Sequence, residues 1–179
     1  RIELRLGARA TAIENSARAV LLADGSRLPY GALLLATGAE PVRLDVPGPG
    51  AEHVRVLRSL ADCDALIGRL EGARRCVVIG ASFIGLEAAA ALRSRGLEVH
   101  VVGPEHRPLE RVMGAEIGAM VQALHEQHGV TFHLGATATA IGPDSVTLST
   151  GEALAADLVV VGIGVRPALT LAADAGLVI

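Results

Sequence analysis

The sequence contains no lysine: its sixteen basic residues are all arginine. A lysine nucleophile or Schiff base is therefore excluded within this segment, and the bias itself reads as the mark of a GC-rich genome. Cysteine is nearly absent too. Cys63 and Cys76 have twelve residues between them, form no C-x-x-C pair and are too few for a disulfide framework. Cys76 opens an apolar run and reads as a small core residue, so a reducing, cytoplasmic setting fits best. No apolar run reaches the length of a membrane span, and no secretory signal opens the chain. Positive charge is not in excess: the formal net charge is −3, which leaves no footprint for nucleic acid or an acidic membrane. An initiator Met is missing, so residue 1 reads as the start of an excerpt. What the chain does have is apolar surface. At 51% hydrophobic and 20% charged residues, it can bury a packed core and is not expected to be disordered.

The most informative stretch runs from Arg75 to Leu92. Cys76 to Ile79 are continuously apolar, as a strand buried on both faces of a parallel sheet would be. Gly80, Ser82 and Gly85 follow at G-x-G-x-x-G spacing, with serine in place of the second glycine. From Phe83 to Arg95 the composition turns to Ala, Leu and Glu, which favour helix. Strand, tight turn and helix in that order aim backbone N–H groups and a positive helix end at a pyrophosphate. In this context the motif is informative; a plain strand–turn–helix is the bland alternative.

Elsewhere, residues 1–40 show β patterning. Ile2, Leu4 and Leu6 alternate, Ala19 to Ala23 form a short run, and Asp24-Gly25 marks a hairpin turn. Leu33-Leu-Leu-Ala-Thr-Gly-Ala-Glu-Pro reads as a buried strand ending in a glycine turn. Pro41, Pro47, Gly48, Pro49 and Gly50 form the densest cluster of breakers and predict a domain junction. A helix is expected over 60–70 with Ser59 as its N-cap, then strands over 76–79 and 98–102. Gly103 to Pro108 form an exit loop. Residues 114–128 follow as an amphipathic helix with Ile117, Val121, Leu124 and His128 on one face. A strand over 130–134, a hairpin turning at Pro143-Asp144 and Thr150-Gly151, and a strand over 158–161 complete the chain. His125 and His128 lack H-E-x-x-H spacing, so no metal site is expected. Asp157 reads as a structural turn residue.

The chain also repeats itself. Leu6-Gly-Ala-Arg-Ala-Thr-Ala-Ile aligns with Leu134-Gly-Ala-Thr-Ala-Thr-Ala-Ile at an offset of 128 residues. Asp24-Gly25 and Gly38-Ala-Glu-Pro41 align with Thr150-Gly151 and Gly164-Val-Arg-Pro167 at an offset of 126. This predicts two copies of one nucleotide-binding architecture, against chance similarity of two Ala- and Val-rich segments. The second copy has its glycine fingerprint upstream of its meander. That of the first would precede Arg1, making this chain a piece of a larger two-nucleotide protein.

Three motifs resemble those of the FAD-dependent pyridine nucleotide–disulfide oxidoreductase superfamily. Leu35-Ala-Thr-Gly-Ala-Glu-Pro resembles the turn that approaches the flavin. Val77 to Ala89 resembles the NAD(P)H fingerprint, and Gly162-Ile-Gly-Val-Arg-Pro resembles the motif closing the NAD domain. The Phe83-Ile-Gly-Leu-Glu87 wording and the Leu57-Arg-Ser-Leu-Ala-Asp62 lead-in are most similar to ferredoxin reductases and reductases of the apoptosis-inducing-factor type. The resemblance implies an α/β fold: a Rossmann-like, three-layer (β-β-α) domain with a central parallel sheet and a β meander, plus part of a second similar domain. The expected bounds are 1–46 for part of an FAD-binding domain, 47–170 for the NAD(P)H-binding domain, and 171–179 for the return.

By the same resemblance the whole protein is expected to be an enzyme passing electrons from NADH through FAD to a ferredoxin or Rieske-type iron–sulfur partner, with homodimerisation open. The isolated segment is expected to be inactive. Gly80, Ala81, Ser82, Ile84 and Gly85, with Gly162, Ile163 and Gly164, would bind the nicotinamide nucleotide, and Thr37 and Gly38 the flavin. Phe83 either covers the nicotinamide or packs in the core. Glu87 corresponds to a family glutamate facing the flavin–nicotinamide junction. Its neighbours Leu86 and Ala88 to Ala91 predict a largely buried helix, in which an acid needs a partner. Gly103 holds the place where the family acid for the ribose 2′-hydroxyl usually stands. Glu105 lies two residues later, at about the expected distance for a ribose acid, which favours NADH; Arg107 could instead meet the 2′-phosphate of NADPH. A disulfide reductase or NADH oxidase of the same superfamily is an alternative. So is a nucleotide-dependent sensing module with incidental turnover.

Overall fold

The computed structural model describes residues 2–48 and 52–179. Pro49 and Gly50, two members of the breaker cluster, lie outside the described residues. The chain divides into two compact units, one of residues 1–40 with 166–179 and one of residues 41–165. Strands β4 (Ala39–Pro41) and β13 (Val165–Pro167) carry the chain across the division.

In the larger unit, β5 (Val54–Val56), β6 (Arg75–Ile79), β7 (Glu98–Gly103), β8 (Val130–Leu134) and β12 (Leu158–Val161) form one parallel sheet. Their order is β5-β12-β6-β7-β8. Alternation within each strand sorts the apolar residues into two cores. Cys76, Val78, Val99, Val101 and Val160 pack with Ala88, Ala89 and Leu92 of α2 (Phe83–Ser94) on one face. Val77, Ile79, Val102, Val159 and Val161 pack with the meander β9 (Ala138–Ile141), β10 (Ser145–Leu148) and β11 (Ala153–Ala155) on the other. Both faces being covered explains why β6 and β12 read as unbroken apolar runs.

α1 (Leu60–Ile67) begins at Ser59, whose hydroxyl and the Asp62 side chain form a reciprocal capping box. It ends at Gly68, short of the expected Leu70. The helix expected over 114–128 is α4 (Ala115–Gln127), and the short α3 (Glu110–Met113) precedes it. The packed face of α4 is not the expected one. Ile117 and Leu124 are exposed, whereas Gly118 is buried and Val121 and His125 are half-buried. The reason is close approach: a Cβ on Gly118 would lie 2.6 Å from the Pro108 carbonyl oxygen. That contact turns the Gly118 side inward and sets His125 edge-on to Phe132, with ring centroids 6.1 Å apart.

The smaller unit holds an antiparallel meander of β1 (Ala10–Glu14), β2 (Ala19–Leu22) and β3 (Arg27–Pro29), with α5 (Thr170–Asp174). It has the form of the β9–β11 meander. The turn glycines correspond in conformation: Gly7 and Gly135 have φ of 70° and 72°, Gly25 and Gly151 of 83° and 87°. The change of offset falls in the first hairpin, where β1 and its turn are together longer than β9 and its turn. Two expectations fail in this unit. Ile2, Leu4 and Leu6 are exposed coil, and Leu33 to Thr37 form no strand. Neither segment is hydrogen-bonded into a sheet among the described residues.

Two sets of charged groups brace the larger unit, one between neighbouring strands of the sheet and one from the sheet to the meander. The Asp157 carboxylate accepts hydrogen bonds from the backbone of Arg74 and Arg75, at 3.0 and 2.9 Å, and from the Arg75 guanidinium at 2.6 Å. The Arg75 contact holds its pKa well below the usual carboxylate range. On the meander face, His100 Nδ1 lies 2.9 Å from His133 Nε2, and His133 Nδ1 lies 3.4 Å from Glu152. Burial lowers the pKa of His133, with Glu152 opposing and His100 reinforcing. A histidine depressed in the folded state contributes stability that is present above its unfolded pKa of about 6.5 and is lost as pH falls through the folded value. For Asp157 the corresponding loss begins only below about pH 4. His125, also lowered by burial, acts in the same direction as His133. The unfolding temperature is therefore expected to fall in two acid steps. Replacing His125 and His133 by Gln should flatten the upper one, and Asp157→Asn the lower one. An upper step that persists unchanged in the double histidine variant would contradict this account.

Candidate functional site

The site lies at the carboxyl ends of β6, β7 and β12, where α2 begins. Three glycines set its geometry. Gly80 has φ of +114°, and a Cβ there would lie 2.4 Å from the Gly162 oxygen. A Cβ on Gly85 would lie 2.0 Å from the Gly80 oxygen, and one on Gly162 would lie 3.2 Å from the Gly85 Cα. At Gly80 and Gly85 only a hydrogen atom fits, and at Gly162 a side chain would press on Gly85. The junction is also hydrogen-bonded to the sheet: Gly80 N–H donates to the Val102 carbonyl at 2.7 Å, and Gly162 N–H to that of Ile79 at 2.8 Å.

Ser82, where the fingerprint departs from glycine, is the N-cap of α2. Its hydroxyl donates to the Gly162 carbonyl at 2.7 Å and accepts from Gly85 N–H at 3.4 Å. The serine thus joins the helix start to β12 while satisfying one of its unpaired donors. The N–H groups of Phe83 and Ile84 belong to the same first turn, which has no intrahelical acceptors. With the helix dipole they form a positive end directed at the cleft.

Gly80, Ala81, Ser82 and Phe83 line a cleft of about 300 Å³ together with Glu105, Gly162 and Ile163. Sequence positions far apart are thereby brought together. One oxygen of Glu105, Oε2, is buried and accepts no hydrogen bond among the described residues. Arg107 is not in the lining: its side chain is exposed, and the cation on the cleft wall is Arg111 of α3. Leu109, Arg111 and Val112 are cleft residues that the sequence did not reveal. Leu109 has φ of +57° and donates its N–H to the Ala81 carbonyl at 3.2 Å, tying α3 to the glycine turn. A left-handed leucine leaves no sequence signal.

Ile84 and Glu87 lie outside the cleft lining, on the outer surface of α2. There Phe83, Ile84, Glu87 and Ala91 border a shallow groove with Leu57. Glu87 is exposed, which overturns the expectation that it is buried: it faces away from the sheet, while Leu86, Ala88 and Ala89 pack inward. Phe83 is 53% exposed and does not pack in the core. It borders both the cleft and the outer groove. Gly164 is absent from the lining, and its carbonyl accepts Val42 N–H at 3.0 Å. Thr37 and Gly38 belong to the smaller unit, where the Thr37 hydroxyl donates to the Ala168 carbonyl at 2.6 Å.

A larger groove, of about 560 Å³, opens between α2 and α4. Arg93 and His128, two of its polar side chains, are already engaged. The Arg93 guanidinium donates to the carbonyls of His128 and Leu97, and the His128 ring lies 2.8 Å from the Leu124 carbonyl. No cluster of three His, Cys, Asp or Glu among the described residues could hold a metal ion. Burial pushes the Cys76 thiol up to about 12, so it supplies no thiolate near neutral pH. No helix among the described residues is long and apolar enough to cross a membrane.

The cleft can be compared with known proteins. The family model for pyridine nucleotide-disulphide oxidoreductases matches residues 1–179. The chain is 41% identical, over 99% of its length, to the anthranilate 1,2-dioxygenase system ferredoxin–NAD(+) reductase component of Burkholderia cepacia, of which it covers 45%. It is 38% identical to the rhodocoxin reductase of Rhodococcus erythropolis, covering 43% of that protein. Among solved structures, the ferredoxin reductase for the CYP199A2 system from Rhodopseudomonas palustris superposes with a TM-score of 0.91 at 42% identity. That match covers 97% of this chain and 44% of the other. The chain thus spans less than half the length of these relatives. The glycine junction, the cleft beside it and these matches together show that the chain belongs to the pyridine nucleotide-disulphide oxidoreductase family.

Proposed function

We propose that this chain is the NADH-binding part of a flavoenzyme, with part of its FAD-binding domain, in an enzyme that passes electrons to a ferredoxin or Rieske-type iron–sulfur partner. The observation that carries the reading is the cleft at the start of α2, in a chain similar over nearly its whole length to proteins named as ferredoxin reductases. The residues fit a dinucleotide. A turn with no room for a Cβ at Gly80 or Gly85 lets a pyrophosphate approach backbone N–H groups, and the unpartnered buried oxygen of Glu105 belongs to the same cleft, where a ribose could donate to it.

When bound, the nicotinamide supplies a hydride and the flavin accepts it, releasing electrons singly to the partner. Under this reading residues 41–165 hold the nicotinamide nucleotide, and residues 1–40 with 166–179 contribute to flavin binding through the turn at Thr37 and Gly38. Gly80, Ser82, Gly85 and Gly162 shape the pyrophosphate seat. Phe83, at the border of the cleft and the outer groove, positions the nicotinamide. Glu87, one helical turn further on, faces the flavin–nicotinamide junction from the exposed side of α2. Both cysteines are free thiols, which suits a reducing, cytoplasmic compartment.

Mixing the full-length flavin-loaded protein with NADH should bleach the flavin within the time of a stopped-flow record, and adding an iron–sulfur acceptor should restore its colour. Slow bleaching unaffected by any acceptor would overturn the reading. Gly85→Ala forces a methyl group against the Gly80 carbonyl. It should cost about 1–3 kcal/mol in chemical unfolding and abolish NADH binding. Gly31→Ala, where nothing lies within 4 Å of an added Cβ, should change stability by no more than about 0.5 kcal/mol. Phe83→Ala should raise the KM for NADH while leaving the affinity for ADP-ribose unchanged. Equal losses for both ligands would place Phe83 at the pyrophosphate and not at the nicotinamide.

A further inference from the structure

β7 and β8 each place one histidine on the face of the sheet that the meander covers. His100 stands in register with Thr131 and His133 with Val102, so the two rings meet diagonally across neighbouring strands. His100 Nδ1 lies 2.9 Å from His133 Nε2. The ring centroids are 5.2 Å apart and the planes are tilted by 35°, so the rings meet nitrogen to nitrogen and are not stacked. Each ring turns its second nitrogen to a carboxylate. His100 Nε2 lies 3.1 Å from Glu98, and His133 Nδ1 lies 3.4 Å from Glu152, between β10 and β11. Both histidines are mostly buried, whereas both glutamates are more than half exposed. The strands β9, β10 and β11 packed against the pair carry no titratable side chain. On β6 the neighbouring charge is Arg75, in register with Glu98 and faced by Asp157 and Asp144.

The number of protons in this chain of four groups follows from its geometry. An ionised carboxylate only accepts, so each outer contact needs an N–H on the histidine. The inner contact needs one N–H and one lone pair. Two neutral rings carry two protons on four nitrogens and leave a lone pair facing a carboxylate or another lone pair. Two charged rings carry four, and two N–H groups then oppose each other at 2.9 Å. Three protons make every contact a hydrogen bond. We propose that His100 and His133 hold one shared positive charge and so clasp the turn between β10 and β11 to the outer strands of the sheet. This pH-sensitive device is separate from the nucleotide cleft. Two ordinary histidines in an unfolded chain share one extra proton only at about pH 6.5. Above that value the folded pair binds more protons than the unfolded chain, so stability falls as pH rises. Below it the folded pair binds fewer, so stability falls as pH drops. The acid limb is the one already ascribed to His133; the alkaline limb belongs to the clasp.

The test is to count protonated ring nitrogens in the full-length flavin-loaded protein, using isotope-labelled histidine and long-range proton–nitrogen correlation spectra. Signals are assigned by their loss in His100→Gln and His133→Gln. Glu152→Gln, at an exposed position, shifts those of His133 and keeps the assignment if either histidine variant fails to fold. Three of the four nitrogens should carry protons from about pH 5.5 to 7.5, one unit on either side of the ordinary histidine value. Independent rings would pass from four protons to two across that range, and a neutral pair would hold two throughout. Either result would overturn the shared charge. Hydrogen exchange reads the clasp itself at the amides of Leu148 and Gly151, which close the turn. Glu152→Gln removes one outer charge and should speed their exchange about 2- to 5-fold at pH 7, as for loss of a part-exposed ion pair. Unchanged exchange at both amides would overturn the clasp.

Discussion

The close approach of three backbones, at Gly80, Gly85 and Gly162, is the constraint on which the rest of the larger unit depends. It fixes how near α2 stands to β6 and β12 and therefore where the positive end of the helix points. The distances leave no room for a methyl group at Gly80 or Gly85. Around this junction the sheet is buried on both faces by α2 and by the meander, and each β6 side chain from Cys76 to Ile79 serves one of the two cores. A rigid sheet end with an open helix start above it is a suitable place to hold an anion.

Volume alone would choose another site. The groove between α2 and α4 is nearly twice as large as the cleft, but its Arg93 and His128 are engaged by backbone carbonyls. The smaller cleft combines unpaired helix N–H groups, an unpartnered carboxylate oxygen and backbone that can be approached closely. Those are the properties a dinucleotide requires, and they come from three separate stretches of sequence.

Much of this was legible beforehand, for physical reasons that differ from residue to residue. Strands covered on both faces leave unbroken apolar runs, so β6 and β12 were plain. Turns that need positive φ leave glycines, so the two meanders could be matched through Gly7 and Gly135 and through Gly25 and Gly151. What escaped were features set by partners in space. The alternation of Ile2, Leu4 and Leu6 predicts a strand only where a neighbouring strand exists. The inward side of α4 was decided by the contact of Gly118 with Pro108, which a hydrophobic periodicity does not encode. Glu87 seemed buried because its neighbours are apolar, yet the helix turns it to the outside. Arg107 lay near Glu105 in sequence, but Arg111, one helical turn on, lines the cleft. Ser82 looked like a flaw in the fingerprint and proves to be the helix cap.

The central claim is that a nicotinamide nucleotide sits against the first turn of α2. Hydrogen exchange of the flavin-loaded protein with and without NADH tests it most directly. The account predicts that NADH slows exchange at the amides of Ala81 to Ile84 and at Gly162 and Ile163, with little change around Arg93 and His128. Protection confined to the groove between α2 and α4, with the first turn of α2 unaffected, would contradict it.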